Sequence, residues 1–285
     1  MKQDPKFKST DWALVLGASS GFGGATAIEL AKLGMNIFGV HLDRLATMPA
    51  VQGVIKEIKH HGREAVFFNI NAADAIKRNE ILDEMQERFG SSPGTVRVLI
   101  HSLAFGTLKP FIAKKPDDAI NQAQMEMTID VMANSLVYWV QGLLYRNLMK
   151  RGGRIFAMTS SGGHTALPNY GAVSAAKSAL ESHVRQLAME LGSLGITANA
   201  MMAGVTDTPA LRKIPGSVKM LEVARAKNPG GRLTVPEDVA RAISLLCDEN
   251  ACWVSGNVIG VDGGEDIVSY IGQQHHDSRS HEQRS

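Results

Sequence analysis

The sequence predicts an α/β protein: a doubly wound parallel sheet of about seven strands, covered by helices on both faces and folded as a single domain. Three observations carry that prediction. Short apolar runs recur at 12–16, 35–40, 64–69, 96–101, 154–159, 196–201 and 257–261, with helical patterns between them. Strands joined through helices need crossover connections, and those make neighbouring strands parallel and buried on both sides. Finally, 285 residues with 44% hydrophobic composition can bury one large core, and no internal repeat or second domain is needed.

The first run, Trp12-Ala13-Leu14-Val15-Leu16, reads as a short buried strand that ends at Gly17-Ala18-Ser19-Ser20-Gly21-Phe22-Gly23-Gly24. Ala27, Ile28, Leu30, Ala31 and Leu33 then recur at helical spacing, and Met35 to Val40 returns to strand. Glycines let such a turn tighten and approach a pyrophosphate, while free N–H groups at the helix start face the anion. Set between a buried strand and a helix, the turn implies a Rossmann-like dinucleotide site, with Gly17, Ser19, Ser20, Gly21, Phe22 and Gly23 as the contacting positions.

The second strand bears on which dinucleotide is bound. An NAD site of this kind ends that strand with a carboxylate on the ribose hydroxyls, whereas an NADP site avoids the charge and offers a cation. The position falls on His41, followed by Leu42, Asp43 and Arg44. His41 and Arg44 together favour NADPH, with NADH the outcome if Asp43 takes the ribose instead.

The charge balance excludes other classes of partner. The formal net charge is +2 with Lys and Arg dispersed, so neither nucleic acid nor a membrane surface is expected. The arm 1–10 is polar, without a secretory signal, and no apolar run reaches the length of a membrane span, which implies a cytoplasmic protein. Cys247 and Cys252 are too few for a disulfide framework and are expected to be reduced and partly buried. The end of the chain, 271–285, reads as a mobile polar tail in which His275-His276 lacks a third metal ligand.

Within Pro168-Asn169-Tyr170-Gly171-Ala172-Val173-Ser174-Ala175-Ala176-Lys177, a phenol and an ammonium lie seven residues apart at the opening of a long helical pattern. Seven residues make about two turns, so both side chains share one face and can serve one bound cofactor. The same spacing also occurs in helices with no such role.

The G-x-x-x-G-x-G turn resembles that of the short-chain dehydrogenases/reductases. The likeness covers roughly residues 10 to 270 and extends to His101-Ser102-Leu103-Ala104, to the segment Ile155 to Ser161, and to Val261-Asp262-Gly263-Gly264. Asn69 and Ile70 stand where that family flanks the adenine, and Ser102, Leu103 and Ala104 follow the fourth strand. In typical ketoreductases the tyrosine precedes the lysine by four residues, where this chain has Val173. Its Tyr-x6-Lys spacing, with Phe105 after Ala104 and with Pro168-Asn169-Tyr170, is similar to the bacterial enoyl-acyl carrier protein reductases. Reduction of an enoyl thioester sends hydride to the β-carbon while charge gathers on the thioester oxygen. The donor must therefore stand further off, and three residues of helix displace it by about 4.5 Å.

The resemblance implies an oxidoreductase that reduces the double bond of a trans-2-enoyl thioester, on acyl carrier protein or coenzyme A, as a homotetramer. It implies that Tyr170 holds the thioester oxygen. Lys177 would hold the nicotinamide ribose, its charge favouring a more acidic phenol. Gly204, Thr206 and Thr208 would meet the carboxamide, with Val205 in place of the family's usual proline. Ser160 replaces a tyrosine of many enoyl reductases and fits the ketoreductase serine, so it either contacts substrate oxygen or caps a strand end. Asp130 is either catalytic or an ordinary surface carboxylate. The stretch 209–227 reads as a mobile substrate lid or as a surface helix packed on the core. A short-chain alcohol or 3-ketoacyl oxidoreductase, and a non-catalytic dinucleotide-binding regulator, are the alternative functions.

Overall fold

The computed structural model describes residues 6–214 and 216–269, so the expectations for 1–5, 215, and the tail 271–285 with His275-His276 lie outside the described residues. Seven parallel strands form one sheet: β1 (Asp11–Leu16), β2 (Asn36–His41), β3 (Ala65–Asn69), β4 (Thr95–His101), β5 (Arg154–Ser160), β6 (Thr197–Ala203) and β7 (Val258–Val261). They lie in the order β3-β2-β1-β4-β5-β6-β7. The strands expected from sequence therefore appear with bounds displaced by one or two residues.

The helices are α1 (Gly21–Lys32), α2 (Met48–His60), α3 (Ala75–Ser91), α4 (Gln122–Ile129), α5 (Ser135–Tyr145), α6 (Gly171–Leu191), α7 (Ser217–Lys227) and α8 (Pro236–Leu246). Alternate strand residues feed opposite layers. Leu14 and Leu16 pack with Leu82 of α3, Trp139 of α5 and Leu180 of α6. Ala13 and Val15 pack with Leu30 of α1, Ile58 of α2 and Ile243 of α8. At on the order of 1.5–3 kcal/mol for each large apolar side chain fully buried, these two layers dominate the favourable side of folding. The indole of Trp139 is fully buried and donates from Nε1 to the Ala72 carbonyl at 2.9 Å, so its polar edge is satisfied.

The chain winds outward from β1 through β2 to β3, then returns to lay β4 on the other side of β1. The carboxyl ends of β1 and β4 thus form the point at which strand order reverses, where open α/β sheets bind ligands. Between α4 and α5 the helix widens into a π-helical segment, Asp130–Asn134, a distortion enriched at functional sites. Among the described residues no helix is long and apolar enough to cross a membrane.

Candidate active site

The glycine turn sits at the reversal point. A Cβ on Gly17 would lie 2.3 Å from the Ser102 carbonyl oxygen, and one on Gly23 would lie 2.1 Å from the Gly17 carbonyl oxygen. Both contacts are with backbone, which cannot swing aside, so only glycine lets α1 start this close to the ends of β1 and β4. Gly17 (φ 90) and Gly21 (φ 54) also occupy left-handed conformations. Ser20 is the N-cap of α1 and makes no side-chain cap bond. That leaves the first N–H groups of the helix available to an anion.

Two cavities adjoin this turn. The smaller, ≈ 90 Å³, is lined by Gly17, Ser19, His41, Ile70 and Leu103, with Asn71, Ala72 and Phe105 among the rest. The larger, ≈ 220 Å³, brings together Phe22, Ser102, Leu103, Ala104, Ser160, Tyr170, Lys177, Gly204, Thr206 and Thr208. Residues far apart in sequence thus converge as expected, Leu103 bordering both spaces. Asn69, Asp130 and Arg44 line neither cavity. Asn69 is locked to the chain beyond β2, accepting from Asp43 N–H at 3.0 Å and donating to the Asp43 carbonyl at 2.9 Å. Asp130, the first residue of the π-helical segment, lies within electrostatic reach of Arg78 on α3.

At the end of β2 the His41 ring is buried, with Nδ1 3.1 Å from Asp43 Oδ2. Burial alone would raise the Asp43 carboxyl, but hydrogen bonds from Thr47, Ser19 and His41 hold it below the usual carboxylate range. Asp43 is therefore turned inward, while Arg44 is exposed.

Tyr170 and Lys177 both face the larger cavity, although Tyr170 is the N-cap of α6 and the helix proper opens at Gly171. The residue before it, Asn169, has φ 61, a left-handed conformation that asparagine accepts at lower cost than most residues. That reversal aims the ring at Gly162, where a Cβ would lie 2.5 Å from Tyr170 Cε1. Burial raises the phenol above its ordinary value, the Ser160 hydroxyl pulling the other way as a hydrogen-bond partner. The phenol is thus raised by burial, which corrects the expectation of a more acidic one. At neutral pH Tyr170 is a protonated donor.

Lys177 is 5% exposed and donates from Nζ to the Met158 carbonyl at 2.6 Å. Burial pushes its ammonium down to about 8, opposed by the Glu181 carboxylate. Behind it, His101 is fully buried with Nε2 2.8 Å from Ser135 Oγ, and burial aided by the Lys177 charge pushes the imidazole down to about 3. It is neutral throughout the working range. Ser160 Oγ accepts from Gly162 N–H at 3.1 Å, so it does cap the strand end, and it also stands beside Tyr170.

Thr206 and Thr208 are engaged locally: Thr206 Oγ1 donates to the Gly204 carbonyl at 2.9 Å, and Thr208 Oγ1 accepts from Leu211 N–H at 3.2 Å. Sequence reasoning missed Glu265, whose buried carboxylate accepts from Val205 N–H at 3.3 Å and ties the end of the sheet to this segment. It also missed Met132, Leu108 and Leu167 on the cavity wall and Glu181 behind it. Only Glu181 left a trace in the sequence, one helical turn beyond Lys177. Part of 209–227 walls the cavity through Ala210, Leu211, Ile214 and Met220, with a short 3-10 turn at Leu211–Lys213 before α7. Cys247 is buried, its thiol pushed up to about 12 by that burial, and Cys252 is exposed.

Comparison with known proteins places this geometry. The family model described as Enoyl-(Acyl carrier protein) reductase matches residues 17–265. An NADPH-dependent aldehyde reductase-like protein, chloroplastic, of Arabidopsis thaliana is 30% identical over 88% of this chain and 93% of its own length. The 3-oxoacyl-[acyl-carrier-protein] reductase of Pseudomonas aeruginosa is 28% identical over 88% of this chain and 96% of its own. Among solved structures, an enoyl-(acyl-carrier-protein) reductase of Anaplasma phagocytophilum in complex with NAD superposes with a TM-score of 0.79 at 19% identity, covering 95% of this chain and 97% of that one. A glycine turn fitted to backbone on both sides, a tyrosine and lysine on one cleft, and a family match along nearly the whole sheet agree: the chain belongs to the short-chain dehydrogenases/reductases and resembles the enoyl-acyl carrier protein reductases among them.

Proposed function

We propose that this protein reduces the carbon–carbon double bond of a trans-2-enoyl thioester with NADPH, in fatty-acid synthesis, the acyl group being carried on acyl carrier protein. The observation that carries the reading is the pairing of Tyr170 with Val173. Val173, where a ketoreductase places its tyrosine, is 5% exposed and packs in an apolar cluster with Val131, Met132 and Ala176. The hydroxyl donor stands instead one turn earlier, at the helix N-cap. An apolar wall there suits an acyl chain, and a donor set back suits charge that develops two carbons from the site of hydride addition.

The residues fit a nicotinamide dinucleotide. Gly17 and Gly23 clear a cradle that a Cβ would fill, Ser19, His41 and Ile70 border the smaller hollow, and Lys177 supplies an ammonium on the wall of the larger one. NADPH is favoured over NADH because Asp43 is committed to His41, Ser19 and Thr47 while Arg44 remains exposed. When bound, the reduced nicotinamide would supply hydride to the substrate β-carbon, and a proton from solvent would complete the α-carbon. Tyr170 would donate a hydrogen bond to the thioester oxygen while it carries negative charge, and Lys177 would hold the cofactor ribose. Leu108, Leu167, Ile214 and Met220 keep water from the acyl chain.

A second reading, reduction of a ketone, is favoured by one observation: Ser160 and Tyr170 line the same cavity, so two hydroxyls can meet one carbonyl. Purified protein assayed in parallel on crotonyl and acetoacetyl thioesters, each with NADPH and with NADH, decides between the two. Crotonyl turnover with NADPH is expected to dominate. Acetoacetyl reduction without enoyl turnover overturns the assignment, and a higher kcat/KM with NADH means that Asp43 reads the ribose.

A homotetramer belongs to the same proposal. Tyr138, Tyr145, Met189 and Leu194 leave apolar surface exposed on the α5 and α6 side, and Leu245, Trp253 and Val258 do so beside β7. Two separate faces suit two different contacts between copies. Light scattering is expected to return four times the 30.7 kDa chain mass, and a monomer mass at assay concentration would exclude it.

A further inference from the structure

Lys177 and Glu181 are one turn apart on α6 and grip consecutive residues of β5. Lys177 Nζ donates to the Met158 carbonyl at 2.6 Å, and Thr159 Oγ1 donates to Glu181 Oε1, also at 2.6 Å. Thr159 itself is buried. The next residue on the strand is Ser160, so these two rungs fix how the strand end is rotated against the helix that carries Tyr170. The turn after Ser160 closes over the same carboxylate. A Cβ on Gly163 would lie 3.2 Å from Glu181 Oε1, and the Gly163 carbonyl is held by Ser178 Oγ at 2.7 Å.

We propose that Glu181 is a positioning residue for the cofactor-binding lysine: one turn further along α6 it sets a carboxylate against the strand that Lys177 grips and, through Thr159, holds the Ser160 end of β5 in register with Tyr170. The inference rests on the reading of Lys177 as the ribose-binding residue.

The electrostatics agree with the geometry. Burial works against the Lys177 charge, and Glu181 is the group that works for it. The other ionisable groups packed around Lys177 do not substitute. His101 on β4 is neutral, the raised Tyr170 phenol is neutral, and β5 presents only the Met158 carbonyl and the Thr159 hydroxyl. An ammonium donates three hydrogen bonds, and the one spent on Met158 leaves two for ribose hydroxyls. A neutral amine has only two protons in all. Lys177 binds the cofactor best when charged, and Glu181 sets the pH at which that charge is lost.

Calorimetric titration of NADPH into wild type and Glu181→Gln at pH 6 and pH 8 tests this without reference to turnover. Both ammonium groups are charged at the lower pH, whereas the variant loses its charge first as the pH rises. The variant is expected to bind less than about two-fold more weakly at pH 6 and about five-fold more weakly at pH 8. Equal weakening at both values, or none at either, overturns the proposal. Should Glu181→Gln fail to fold, Glu181→Asp decides. It keeps a carboxylate beside Lys177 but draws it away from Thr159, and is expected to melt lower than wild type with an unchanged pH dependence of binding. A shifted dependence in Glu181→Asp would also overturn the proposal. Wild-type protein that binds neither NADPH nor NADH defeats the cofactor reading itself, a result distinct from either of these.

Discussion

Tyr170→Phe is expected to bind NADPH nearly as tightly as wild type while kcat on a crotonyl thioester falls by roughly two to three orders of magnitude, the range for losing one oxyanion donor. The ring is wedged against Gly162, so phenylalanine fills the same space and the fold is not the variable. What is lost is a hydroxyl whose hydrogen bond strengthens only as charge reaches the thioester oxygen. Because burial holds the phenol protonated, it acts as a donor over the whole neutral range. Steady-state rates paired with calorimetry on the variant check both halves. Near-normal turnover would transfer the role to Ser160, the hydroxyl already beside it.

Lys177→Met is expected to abolish measurable NADPH affinity at pH 7 and, at the same pH, to raise the melting temperature. The sign follows from linkage. The lysine in the folded protein titrates at about 8 against an ordinary 10.5, so the charged form is the penalised one. That gap corresponds to roughly 3 kcal/mol of destabilisation, present in full below pH 8 and fading as pH rises toward 10.5. Methionine removes the penalty and keeps most of the stem, at the cost of the bond to the Met158 carbonyl, about 1 kcal/mol. A net gain of about 2 kcal/mol in a chain of this size is several degrees. Thermal melts at pH 7 and pH 9.5 should show the advantage shrinking at the higher value. A variant that melts lower than wild type at both would mean that Lys177 is a structural residue first.

The fold was legible because parallel strands buried on both sides leave continuous apolar runs, and the runs at 12–16 and 154–159 need no partner to be recognised. The glycine turn was legible because Gly23 serves a contact inside the strand–turn–helix unit, whereas the approach of Gly17 to Ser102 beyond β4 could not be read from the turn alone. What escaped was set by packing between elements. Nothing in the sequence says that Thr159 reaches Glu181, or that Glu265 from beyond β7 meets Val205. The inward turn of Asp43 depends on Ser19 and Thr47, from two different connections, and on Asn69 at the end of β3, which holds the Asp43 backbone. Tyr170 stands out in the sequence and lines the cleft, but its place as an N-cap depends on the left-handed Asn169, and a helical pattern cannot register one reversed residue.

The cleft has two kinds of wall. Tyr170 and Lys177 stand at the start of α6 and Ser160 at the end of β5, whereas Leu108, Leu167, Leu211 and Ile214 stand on connections that the sheet does not constrain. Substitution bears on the two at different cost. Substitutions in the connections cost little stability, so the choice of substrate is free to drift while the chemistry is inherited intact. Relatives below one-third identity can thus share a scaffold and differ in what they reduce, as an aldehyde reductase-like protein and a 3-oxoacyl reductase do by name. For anyone redesigning this chain, the connections are the part to rewrite: the apolar wall of the cleft is adjustable there without touching Tyr170 or Lys177.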